Sequence, residues 1–419
     1  MPKQFAEENL PPDIQVIAER MNIVEEKIPP WTAPPLPFDS DCTPLKFLER
    51  TRQQLIAPFR EQVYGKIPPR CNQTSCKITS EGKAFGGLAI RRQIDIICRH
   101  QGMEQILHLL LYIPVAASRP APVFFGLNFK GNHSTTEDPG VVFHPFIPYP
   151  PLIPGSRRWS EFRAGEEGRA MQADRWDFKK VLERGYATAT MSYHDVYPDH
   201  PLAFNDTIMR FFYTEEQWKS PHRDTGAICA WVWGMQRCID CLEMQPELDM
   251  TRLFVHGHSR LGKTTLWLAA NDPRPAWVIS SGAGACGDKM MHHYFGENFE
   301  WLALWAPHWF RGNFPRLVGQ ELKIPFDFHY LLAAIAPRRV YIAAGDEDDY
   351  ADPKGQFASC VAASPAWKLF GGTGLGTRKF PACKEIIGQE IGFYLRHGGH
   401  GITPENWNAI LDYADRHFR

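Results

Sequence analysis

Apolar residues fall along this chain in short runs. Segments rich in β-branched and aromatic residues stand at Ala89 to Cys98, Ile106 to Pro114, Val123 to Asn128, Tyr186 to Ser192, Leu253 to Gly257, Trp277 to Ser280, Val340 to Gly345 and Trp367 to Phe370, each the length of one strand. Helical stretches separate the later runs. In one of them Ile228, Trp231, Val232, Met235, Ile239 and Leu242 share a helical face. The pattern predicts a sheet that is antiparallel at first and then becomes parallel, strand alternating with helix, in an α/β chain. The first forty or so residues carry Pro29-Pro30, Pro34-Pro35 and Pro37, which predicts an irregular arm. We expect residues 1–80 to pack as an arm on a main domain spanning 81–419, a single domain overall. A polar, proline-rich segment from about Gly131 to Asp174, with Pro145, Pro148, Pro150, Pro151 and Pro154, reads as a lid or cleft wall.

Composition narrows the partners more than the fold. The 46 basic and 47 acidic residues nearly cancel, giving a formal charge of -1, so nothing electrostatic calls for a nucleic acid or a membrane surface. No run approaches the roughly 18 apolar residues of a membrane span. The 13 tryptophans suit a carbohydrate-facing cleft, although core packing accounts for most tryptophans in any protein. Ten cysteines are scattered. Cys238-x-x-Cys241 lies within the helical stretch above and no second ligand pair follows at zinc spacing, so helix thiols are expected there. Cys71 and Cys76 are close enough in sequence to close a small loop in an oxidising compartment. The first residues, Met1-Pro2-Lys3-Gln4-Phe5, lack the basic-then-apolar signature of an export signal. Either the protein is cytoplasmic or its signal is absent from this chain.

The candidate chemistry concentrates in Leu253-Phe254-Val255-His256-Gly257-His258-Ser259-Arg260-Leu261-Gly262-Lys263-Thr264. Gly257 to Thr264 fits G-x-x-x-x-G-K-[ST], a phosphate-binding loop. The same stretch reads as a strand entering a tight turn with a serine at its apex, a nucleophile elbow whose second glycine comes one residue late. Val340 to Asp346 serves either reading, as a Walker-B-like strand or as the strand that carries a triad acid. Gly398-Gly399-His400 follows, with His397 as a neighbouring candidate base. The order serine, acid, histidine is that of α/β-hydrolases, and the loop interior His258-Ser259-Arg260-Leu261 lacks the small residues of a phosphate loop. The hydrolase reading is therefore favoured, as a three-layer sandwich around a mostly parallel sheet with antiparallel N-terminal strands.

These residues resemble the glucuronoyl esterases, carbohydrate esterase family 15, particularly the bacterial branch. The likeness includes Phe59 to Pro68, Leu127 to His133, the elbow Gly257 to Lys263, Pro307-His308-Trp309-Phe310, Pro325 to His329, Ala336-Pro337-Arg338, Ala351 to Gly355 and Gly399-His400. It implies a cofactor-free and metal-free serine esterase, secreted or periplasmic and monomeric, that cleaves esters of 4-O-methyl-glucuronic acid on xylan to lignin alcohols. It assigns Ser259 as nucleophile, His400 as base and Arg260 as a stabiliser of the oxyanion. Lys263, Glu297, Tyr350 and Trp309 then belong to the substrate site.

Two departures matter. The loop Ser280-Ser281-Gly282-Ala283-Gly284 holds Gly282 where some relatives carry the triad acid. The acid must then come from Asp346, Glu347, Asp348 or Asp349, and pairing with the family pattern selects Asp348. The same pairing puts Tyr350 where the family has a sugar-stacking tryptophan, keeping a ring face and adding a hydroxyl.

Overall fold

The computed structural model describes residues 12–116, 120–145, 149 and 165–418. The short apolar runs become strands of one ten-stranded sheet: β1 (Gln73–Ala84), β2 (Ala89–His100), β3 (Met103–Pro114), β4 (Ala121–Asn128), β5 (Ala187–Ser192), β6 (Leu248–His258), β7 (Trp277–Ser281), β8 (Arg339–Gly345), β9 (Ile386–Ile387) and β10 (Ile391–Arg396). Their order is β1-β2-β3-β5-β4-β6-β7-β8-β10-β9. Strands β1, β2, β3 and β5 pair antiparallel, whereas β5, β4, β6, β7, β8 and β10 form a parallel run. This is the α/β-hydrolase layout expected from the sequence.

Alternation along the central strands builds the three layers. Leu253 and Val255 of β6 pack on one face with the helices Ala227–Leu242 and Arg260–Asn271. Phe254 points the other way, joining Trp277, Tyr341 and the C-terminal helix Pro404–Phe418 through Trp407, Ile410 and Tyr413. Seven tryptophans are among the largest fully buried side chains, so packing explains most of the aromatic excess. The proline-rich arm lies over the segment before β8. There the carbonyl of Pro34 accepts from His329 Nε2 at 3.0 Å, and that of Pro35 accepts from the Tyr330 hydroxyl.

The strand expected at Trp367 to Phe370 is instead the end of a short helix, Pro365–Lys368. Pro365 opens that helix, and Trp367 is buried with Nε1 donating to the Arg338 carbonyl at 3.1 Å. A four-residue run with three apolar residues does not distinguish strand from helix, and the proline decided it. The last parallel strand is β10, entirely buried, whose sequence signal is weak because Gly392 breaks its apolar run and Arg396 ends it. β1 was also missed. Its residues are mostly exposed or half-buried on both faces, leaving no alternation to read, and it runs across residue 80, the expected limit of the arm.

Cys71 and Cys76 do not close a loop: all ten cysteines are free, and Cys71 Sγ donates to the Gln73 carbonyl at 3.2 Å. Of the expected lid, Pro148, Pro150, Pro151 and Pro154 lie outside the described residues. Its described flanks are anchored. Tyr149 stacks on His200 with ring centroids 4.9 Å apart and donates to Asp206, while Arg169 Nη1 donates to the Val141 carbonyl at 2.9 Å. Among the described residues no helix is long and apolar enough to cross a membrane.

Candidate active site

Parallel strands bring their C-terminal ends to one edge of the sheet, and the loops that leave β6, β7, β8 and β10 carry the candidate residues. Ser259 ends β6, the sixth strand in spatial order, and begins the helix Arg260–Asn271 with φ 57° and ψ -128°. That conformation is strained for a non-glycine residue and holds the side chain out of the sheet. The turn closes tightly enough that a Cβ at Gly257 would lie 2.2 Å from the Leu261 carbonyl oxygen, so only glycine fits there. The late second glycine, Gly262, lets the helix approach the loop after β7, with Ala283 Cβ and Ser280 Oγ each 3.0 Å from its missing Cβ.

The four-carboxylate cluster after β8 separates cleanly. Asp348 is buried and its Oδ2 lies 2.7 Å from His400 Nδ1. Asp346 pairs instead with the exposed His397, Oδ2 to Nδ1 at 2.7 Å. Each histidine candidate thus has its own carboxylate, and the His400–Asp348 pair faces the elbow side. Gly282 lies against that pair. With φ +52°, its added Cβ would be 3.3 Å from His400 Cε1 and 3.4 Å from Nδ1. His258 also packs on His400, ring centroids 4.6 Å apart. Burial, then repulsion from His400 and nearby arginines, hold His258 well below the usual histidine range, so it stays neutral beside His400.

Arg260 points into a cage that sequence reasoning did not anticipate. Its guanidinium lies over the rings of Phe129, Trp309 and Tyr193 at 5.0, 5.4 and 5.8 Å from their centroids. Its Nε sits 2.9 Å from Oδ2 of Asp199, a fully buried carboxylate. Asp199 also accepts from His308 Nε2 at 2.7 Å, Trp309 Nε1 at 2.6 Å and the Tyr193 hydroxyl at 3.3 Å. Burial pushes the Asp199 carboxyl up, but Arg260, His308 and Trp309 together outweigh it and hold the pKa at about 2. Trp309, expected in the substrate site, has its N–H committed to Asp199 and is 4% exposed, so only its ring faces the site.

Lys263, Glu297 and Tyr350 meet in a buried polar pocket. Lys263 Nζ donates to the Ala283 carbonyl at 2.6 Å and lies 3.5 Å from Glu297 Oε2. The Tyr350 hydroxyl donates to Glu297 Oε1 and accepts from Trp301 Nε1 at 2.7 Å. Tyr350 is 7% exposed and turns its ring edge toward His400, centroids 6.1 Å apart. Glu297 Oε2 has no hydrogen-bond partner among the described residues although it is buried. A second buried lysine, Lys289, fixes the backbone beneath the pocket by donating to the carbonyls of Phe295 and Glu297. No local motif marks these residues: Asp199 and Trp301 act through partners far along the chain, and Lys289 through carbonyls six and eight residues on.

The phosphate-loop alternative does not fit this geometry. Lys263 is turned into the pocket, Thr264 Oγ1 bonds back to the Arg260 carbonyl at 2.9 Å, and the Ser259 N–H is used by the Ser281 carbonyl at 2.8 Å. Asp346, the Walker-B candidate, is occupied by His397 and Cys383.

Comparison with known proteins agrees on one group. The family described as "Glucuronyl esterase, fungi" matches residues 205–371. The chain is 31% identical over 412 residues to carbohydrate esterase MZ0003 of an unknown prokaryotic organism, covering 97% of this chain and 94% of that protein. It is 27% identical over 318 residues to the 4-O-methyl-glucuronoyl methylesterase of Cerrena unicolor, covering 72% and 63%. The solved glucuronoyl esterase from Solibacter usitatus superimposes with a TM-score of 0.86 at 33% identity, covering 94% of this chain and all of that one.

Proposed function

The chain belongs to the glucuronoyl esterases, carbohydrate esterase family 15, and on that premise we propose that it hydrolyses esters of (4-O-methyl-)glucuronic acid through an acyl-enzyme on Ser259. It is a carboxylic-ester hydrolase. The observation that carries the residue assignment is the coincidence at one sheet edge of a serine on a strained elbow with a histidine bonded to a buried carboxylate.

In this reading Asp348 accepts from His400 Nδ1–H, which leaves Nε2 as the base. As Ser259 Oγ attacks the ester carbon, its proton passes to Nε2. Negative charge gathers on the carbonyl oxygen, where the Arg260 guanidinium and the N–H that follows the nucleophile stabilise it. His400 then gives its proton to the departing alcohol, and water reverses the sequence to release the uronate. The leaving alcohols we propose are those of lignin, with the uronate borne on xylan.

The pocket supplies the acid specificity. Glu297 Oε2, buried and without a hydrogen bond among the described residues, is an acceptor that a sugar hydroxyl would complete, with Lys263 Nζ 3.5 Å away. The direct test is turnover of benzyl glucuronate beside a simple acetyl ester. A marked preference for the glucuronate is expected, and equal kcat/KM on both would reject the uronate pocket.

Tyr350→Phe tests the pocket from within. It removes the hydroxyl that joins Glu297 to Trp301, and a hydrogen bond to a charged group contributes about 1.5–3 kcal/mol. We expect KM for glucuronate esters to rise about tenfold or more, with acetyl-ester KM nearly unchanged. Parallel losses on both substrates would make Tyr350 a packing residue.

Arg260 calls for a careful substitution. Alanine would strand the buried Asp199 carboxylate, and breaking a buried pair costs about 3–5 kcal/mol of stability. Arg260→Lys keeps the charge but loses the planar fork. Its expected effect is a drop in kcat of about 10² with little change in KM, by comparison with loss of other oxyanion donors. A change confined to KM would mark Arg260 as a substrate anchor.

A further inference from the structure

We propose that Asp346, Cys383 and His397 form a binding site for a zinc-class divalent cation on the outer side of the loops that carry Asp348 and His400. The three donors come from separate segments: the turn after β8, the loop before β9 and the turn after β10. Their ligand atoms all lie within 4.8 Å of one another. Asp346 Oδ2 is the hub, 2.9 Å from Cys383 Sγ and 2.7 Å from His397 Nδ1. The other carboxylate oxygen, Oδ1, is fixed by the Gly398 N–H at 2.8 Å, the kind of outer contact that orients a metal ligand.

A zinc ion bound to sulfur at about 2.3 Å and to nitrogen and oxygen at about 2.0–2.2 Å needs ligand atoms roughly 3.4–3.6 Å apart. The hydrogen-bonded atoms would have to spread by under about 1 Å from their present separations. They have the room, because Cys383 is exposed and the His397 side chain is 70% exposed. On binding, the Cys383 thiol releases its proton to solvent as the sulfur–zinc bond forms, the His397 proton leaves Nδ1 for Nε2 by way of solvent, and the ion takes the place of the two hydrogen bonds to Oδ2. One thiolate, one imidazole and one carboxylate are a donor set for zinc rather than for magnesium or calcium, with a fourth position left to water. Of the ten cysteines only Cys383 is exposed, so it is the thiol such an ion can reach.

The site would pin two turns. Asp346 precedes Asp348 by two residues and His397 precedes His400 by three, so an occupied site ties together the loops of the acid and the base without touching either.

Metal-free protein should be titrated with cobalt(II), which reports a thiolate ligand by a sulfur-to-metal charge-transfer band, followed by displacement with zinc. We expect one cobalt per chain with that band, and zinc to displace it and raise the thermal midpoint. Cys383→Ser should abolish the band and weaken zinc binding about 100-fold or more, and His397→Ala should weaken it comparably. Both positions are exposed, and circular dichroism will verify their folding. The metal-free activity of Cys383→Ser should match that of the metal-free parent. Absence of the charge-transfer band in the parent protein, or equal zinc affinity in the parent and Cys383→Ser, would reduce the cluster to a hydrogen-bonded surface group and overturn the proposal.

Discussion

Ser259→Ala should lower turnover of a glucuronate ester by about 10⁴ or more while leaving the fold intact, judged from removal of nucleophiles in other triads. The fold should survive because the elbow is held by its backbone. The Ser259 N–H bonds the Ser281 carbonyl at 2.8 Å, the Lys263 N–H bonds the Ser259 carbonyl at 3.1 Å, and Gly257 makes the close approach to Leu261. Among the described residues no hydrogen bond of the hydroxyl contributes to that frame, and alanine keeps the Cβ. An unchanged thermal midpoint with activity near background is therefore the expected pair of results. Residual activity within about tenfold of the parent would reject the acyl-enzyme mechanism. Substrate binding should persist, since Lys263, Glu297 and Tyr350 are untouched, so the variant should also retain an uncleaved ester.

What the sequence disclosed about this site depended on how local the signal was. The elbow is local: two glycines, a serine and a preceding apolar strand lie within twelve residues, and each has a steric reason to be there. Chain order confined the candidate acid to four carboxylates, and only the pairing with the family pattern picked Asp348 among them. Their separation into an Asp346–His397 pair and an Asp348–His400 pair depends on how two turns from neighbouring parallel strands face each other. Asp199 was invisible for the same reason. Nothing in Tyr197-Pro198-Asp199-His200 signals a carboxylate that will be buried against one guanidinium and three hydrogen-bond donors from three segments. The fold followed the same rule. Central strands announced themselves by apolar content, whereas β1 is polar on both faces and is held in place by its pairing with β2. At Trp367 a short apolar run was ambiguous, and Pro365 at the start of the helix decided it.

Asp348→Asn should cost about 10⁴ in kcat, by comparison with the same change in other triads. Asparagine preserves the shape but offers His400 Nδ1 no charge, so the imidazolium that forms as Ser259 attacks loses its counter-ion. An enzyme with a second acid facing the same histidine would be buffered against this. Here the alternative position is Gly282, where an added Cβ would lie 3.3 Å from Cε1 of both His258 and His400 and 3.4 Å from His400 Nδ1. The two acid positions therefore converge on one nitrogen, which makes rescue testable: Gly282→Glu in the Asp348→Asn background should restore part of the lost kcat. The rescue should be incomplete. Residue 282 has φ +52°, where a side chain costs about 1–2 kcal/mol, and the new Cβ would press on the imidazole before its carboxylate could turn back to Nδ1. Near-parental activity in Asp348→Asn, with Asp346→Asn inactive, would assign the acid to the other carboxylate and the base to His397. Asp346→Asn should instead leave hydrolysis nearly unchanged, because its partners, His397 and Cys383, stand on the solvent side of the loops.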